Sequence, residues 1–154
     1  MKNSLKNILL VAFASIISTG VYQYYQSYNE ARLFNNFLDS AALVSSLHHE
    51  ASEEFKNVLD FSEISREEFE DKIGKVVSNS KEAYEIINNT DASLTLKEKE
   101  LLSLATSYWL QGLEMFEVSI ITLIDNPSSE KIEESIAQSI SDLSIGDRSY
   151  SEFL

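Results

Sequence analysis

Apolar residues recur at three- and four-residue steps over most of the chain, the spacing of a helix that advances about 100° per residue. The longest stripe reads Leu33, Phe37, Ala41, Val44, His48, Ala51, Phe55 and Val58, and it ends near Asp60 to Glu63. Ser65 and Glu68 then form an S-x-x-E capping box, with Ile64 and Phe69 placed for the hydrophobic staple that often accompanies one. The second stripe is Phe69, Ile73, Val76, Val77, Ser80, Tyr84 and Ile87. It stops at Asn88-Asn89-Thr90-Asp91, where short polar side chains compete with the helical backbone.

Thr95 and Glu98 repeat the capping box. A third helix is predicted from there to about Asp125, with Leu101, Ala105, Trp109, Gly112, Phe116, Ile120 and Leu123 on one face. Asn126-Pro127 breaks it, and Pro127 suits the first turn of a fourth helix carrying Ile132, Ile136, Ile140 and Leu143. Beyond Ile145-Gly146 the residues turn polar, so 146–154 reads as a flexible tail. Four helices with short connections predict an all-α protein whose residues 30–145 form an antiparallel four-helix bundle.

The first 29 residues follow a different pattern. Lys2 and Lys6 are the only charges before Glu30, and residues 7–29 carry none. As a helix those residues would be about 34 Å long, enough for the roughly 30 Å hydrocarbon layer of a bilayer. The strongest apolar block is Ile8 to Ile17. Tyr22, Tyr24, Tyr25 and Tyr28 follow it, and such amphipathic rings suit the headgroup level. The segment therefore reads as a transmembrane signal-anchor over 7–29, with residues 1–6 in the cytoplasm. The alternative is a signal peptide cleaved near Gly20, which leaves a secreted or periplasmic protein. Either reading places the bundle outside the cytoplasm.

The formal net charge is −13. Residues 1–29 contribute +2, and residues 30–154, with 25 acids against 10 bases, contribute −15. This charge excludes nucleic acid as a partner and keeps the bundle away from anionic headgroups. Cysteine is absent, which excludes disulfides, thiolate metal sites and a Cys nucleophile.

Few residues suggest chemistry. His48 falls within the first apolar stripe, and folding the helices back on one another brings it level with Ser80, Tyr84 and Tyr108. These four define a possible pocket, sensitive to pH or a small molecule. His49 and Glu53 are spaced i,i+4, but the chain has no Glu-x-x-His and both His lie on one helix. No metal or other cofactor is therefore expected. Gly-x-Ser-x-Gly, Walker and His-Glu-x-x-His motifs are absent, and no catalytic residue is assigned.

On the third helix Leu110, Val118 and Ile121 lie opposite the main stripe. They mark a candidate face for a protein partner or self-association. The function expected from these features is that of a non-enzymatic, membrane-tethered subunit acting through protein contacts in an envelope complex. The alternatives are a sensing bundle with a pocket near His48, and a secreted binding or inhibitor protein.

Overall fold

The computed structural model describes residues 2–59, 65–92, 97–128 and 131–154, with side chains described from residue 18 onward. Among the described residues the chain is all-α, with four helices and no strand. They are α1 (Lys2–Leu59), α2 (Arg66–Asn89), α3 (Lys97–Asp125) and α4 (Ile132–Phe153).

The helices run alternately up and down. Ala51 and Val58, late in α1, share one core cluster with Phe69, Ile73 and Val76, early in α2, and with Leu113 and Phe116, late in α3. The second cluster joins Phe37, Ala41 and Val44 of α1 to Ala83 and Ile87 of α2 and Leu102 of α3. Helix α4 closes the ring. Tyr150 Oη donates to Ser45 Oγ at 2.9 Å, and Phe153 meets Phe37 edge-on at 6.3 Å. The resulting antiparallel arrangement matches the predicted order of elements.

Both ends of α2 have a local cause. Ser65 caps α2, its Oγ accepting from the Glu68 N–H at 3.2 Å. Glu68 turns outward to pair with Lys72 at 2.8 Å. At the other end Thr90 Oγ1 donates to Ser40 Oγ at 2.8 Å, tying the α2 terminus to α1. Ile64 and Thr95, the other expected capping partners, lie outside the described residues.

Helix α4 departs from expectation at both ends. Pro127 sits in the turn after α3 rather than in the first turn of α4, which begins at Ile132 with Glu133 and Glu134 at its positive end. Residues 146–153, expected to be a loose tail, continue the helix to Phe153. Gly146 does not end it, because no glycine has a positive φ. Instead Gly146 lets α4 approach α3: a Cβ there would lie 2.5 Å from the Trp109 ring and 3.1 Å from the Ala105 carbonyl. Gly112 plays the same part from α3, where a Cβ would lie 2.9 Å from the Ser139 carbonyl oxygen.

Ile132 is buried as its place on the stripe predicts, but beyond it the buried face of α4 is small and polar: Ser139, Asp142, Gly146 and Ser149. Ile140, expected in the core, is 53% exposed. The hydroxyls of Ser139 and Ser149 are satisfied by carbonyls of their own helix, at 2.7 and 2.9 Å. The Asp142 carboxylate, 2% exposed, accepts from Gln111 and from Gln138, both at 2.9 Å. Burial of such groups is tolerable only when they are hydrogen-bonded in this way.

Helix α1 extends well past the bundle. Among the described side chains its first buried one is Phe37, and residues 18–32 are exposed, including all four clustered Tyr. Among the described residues no helix is long and apolar enough to cross a membrane. The side chains of residues 1–17, which include the Ile8 to Ile17 block of the expected anchor, lie outside the described ones.

Candidate functional site

The two core clusters do not meet seamlessly. On α1 the second cluster ends at Val44 and the first begins at Ala51; on α2 the corresponding pair is Ala83 and Val76. His48 and Ser80 occupy the gap. Trp109 faces them from α3, and α4 contributes Leu143 and Asp147. A cavity of about 220 Å³ lies here, bounded along α1 from His48 to Leu59.

Its polar groups are few and distinct. The His48 imidazole stacks on the Trp109 indole with ring centroids 3.5 Å apart and planes 6° from parallel. Tyr150 tilts against both rings, at 5.4 Å from His48 and 5.1 Å from Trp109. Trp109 Nε1 donates to Asp147 Oδ1 at 2.8 Å, which fixes the indole and holds the carboxylate at the cavity wall. Burial lowers the His48 pKa below its ordinary value; the Asp147 charge opposes the shift, and neighbouring His49 adds to it. The imidazole is therefore neutral at pH 7, with one donor and one acceptor nitrogen.

Ser80 is the anomaly. It is 5% exposed, and its Oγ is buried with no hydrogen-bond partner. A serine in a helix ordinarily returns its hydroxyl to the preceding turn, as Ser119, Ser139 and Ser149 do here. An unmet buried hydroxyl costs about 1–3 kcal/mol.

Of the four residues predicted to form a pocket, the structure brings His48 and Ser80 together at the cavity and leaves Tyr84 and Tyr108 off it. Ala83 and Trp109 take their places, each one position away in sequence. A register error of one residue turns a helical side chain by about 100°, enough to move it from one neighbour to another. Trp109 was already on the predicted α3 stripe, so the aromatic wall was recognisable even though its contact with His48 was not.

The candidate partner face divides. Val118 is 64% exposed, whereas Leu110 is half-buried and Ile121 packs against the first core cluster. Nearby, burial raises the Glu117 pKa, with the charges of Glu114 and Glu70 adding to the shift. Among the described residues no group of three or more His, Asp or Glu is placed to hold a metal ion.

Fold and site together define a class: a four-helix bundle with a largely apolar cavity at the seam of its core, open to solvent where Ser52, Lys56, Leu59 and Asp147 line it. No protein-family model matches the sequence, no curated protein aligns significantly with it, and no solved structure matches it.

Proposed function

We propose that this chain is a non-enzymatic ligand-binding bundle carried on its N-terminal helix. Residues 7–29 hold it in a membrane with the N-terminus in the cytoplasm, and the −15 portion presents the cavity outside. The observation that carries the binding role is the unpartnered Ser80 hydroxyl at the cavity. It supports binding because a molecule in the cavity can supply the partner that this buried hydroxyl lacks. Trp109 is the sole Trp, so its emission reports directly on occupancy. A bound small molecule should shift that emission and raise the melting temperature; a cavity-filling Ala83→Leu variant should lose the shift while remaining helical. The anchor is checked separately. Intact Met1 in a carbonate-resistant membrane fraction supports it, and a soluble form beginning near Val21 supports secretion.

A second reading, an envelope subunit acting through a protein partner, draws support from the exposure of Val118. Val118→Glu should abolish crosslinking to that partner or to a second copy in native membranes without changing the melting temperature. Unchanged crosslinking removes this face from consideration.

A further inference from the structure

The shape and polarity of the cavity narrow the class of molecule it accepts, and this step rests on the binding role proposed above. The lining along α1 runs from His48 to Leu59, eleven residue steps or about 16 Å. A volume of about 220 Å³ drawn out along that wall accommodates one aliphatic chain. It is about half as large again as the roughly 150 Å³ apolar cavity that accepts benzene. Most of the wall is apolar, with Phe55, Val76, Leu113 and Leu143 facing the space.

The head group follows from the polar atoms. Ser80 Oγ can both donate and accept, and it has neither partner. Neutral His48 offers the same pair of options on the same stretch of wall. Asp147, also on the lining, disfavours a carboxylate, as does the net charge of the bundle. A charged head of either sign at Ser80 would be stripped of water in an apolar slot, which costs far more than burying a hydroxyl. Lys56 lines the outer part of the slot, where its long stem covers apolar surface and its ammonium stays in water.

We infer that the cavity binds a linear, medium-chain aliphatic molecule of about eight carbons, bearing a neutral hydroxyl or carbonyl head that satisfies Ser80. The hydrocarbon chain lies along α1 toward Leu59, and the head sits between Ser80 and His48.

The test uses the full chain in detergent with three probes of equal length: 1-octanol, octanoate and octylammonium. Binding is followed by Trp109 emission and by calorimetry, against detergent blanks. At pH 7.5 octanol should bind one to one and at least tenfold more tightly than either ion. Ser80→Ala should leave the unliganded melting temperature unchanged or higher, since it removes an unmet hydroxyl, yet weaken octanol binding about 3- to 10-fold, the worth of one neutral hydrogen bond. Lys75→Ala, an exposed position off the cavity, should leave octanol affinity within twofold. If octanoate or octylammonium binds as tightly as octanol, or if Ser80→Ala leaves octanol affinity unchanged, the neutral-head assignment is overturned while the chain-shaped slot stands. If none of the three probes binds, the ligand-binding role falls with it.

Discussion

Between α1 and α2 the buried residues include Phe37, Val44, Phe69, Ile73, Val76 and Ile87; on α4, past Ile132 at its start, they are Ser139, Asp142, Gly146 and Ser149. The first pair of helices is held by filled volume. The second is held by proximity, with Gly112 and Gly146 removing the atoms that would keep the backbones apart. In the first, stability resides in side-chain bulk displacing water. In the second, it resides in close backbone approach and a satisfied carboxylate. The two halves should therefore fail under opposite substitutions.

The largest effect is expected from shrinking the α1–α2 core. Ile73→Ala deletes a fully buried side chain and should cost about 2–5 kcal/mol in denaturant unfolding. Next comes enlargement on the other side. Gly112→Ala drives a methyl against the Ser139 carbonyl and the Leu143 side chain, at a cost of about 1–3 kcal/mol. The same change at Gly74, on α2, meets nothing within 4 Å and should stabilise by about 0.5–1 kcal/mol through helix propensity. Opposite signs for one substitution would establish the contrast; equal signs would dissolve it.

The seam between the clusters responds to acid. The folded His48 pKa lies below the unfolded value of 6.5, so the unfolded state takes up the proton first. Stability is then full above pH 6.5 and declines as pH falls through the folded pKa. The groups facing His48 are Trp109, Tyr150, Asp147 and, on its own helix, His49. His48→Asn should flatten this part of the stability–pH curve, as measured by melting temperature between pH 7.5 and 5. The smallest effect is expected at the surface. Arg66 joins Asp125 across α2 and α3 at 3.2 Å, with both side chains about half exposed, and Arg66→Ala should cost no more than about 1 kcal/mol.

The α1–α2 half was legible in the sequence because its apolar stripe is also its buried face. Phe37, Ala41, Val44, Ala51 and Val58 were all on the predicted stripe and are all buried. Ser65 announced the start of α2 because its hydroxyl has a single favourable place to go. On α4 the apolar stripe finds Ile132 and Leu143 but not the rest of the buried face, because hydrophobicity marks such a face only where bulk fills the space. The steps Ser139, Asp142, Gly146, Ser149 keep helical spacing, and Gly112 on the facing helix is their complement. Small residues in that phase on two helices are the signal that was available. At the site, His48 and Ser80 were found through their phase on α1 and α2. The stack on Trp109 was not, since a ring contact depends on rotation within one residue step.

Helix α1 runs unbroken from Lys2 to Leu59, so the residues that line the cavity and the residues beyond the bundle belong to one stiff rod. Such a rod is both a ruler and a phase lock. From residue 18 to Phe37, the first buried position among the described side chains, it spans about 28 Å, and each inserted residue would lift the bundle by about 1.5 Å and swing it by about 100°. Height above the N-terminal segment and the compass bearing of the cavity are thus set together. An insertion that restored one would spoil the other unless it came in whole turns.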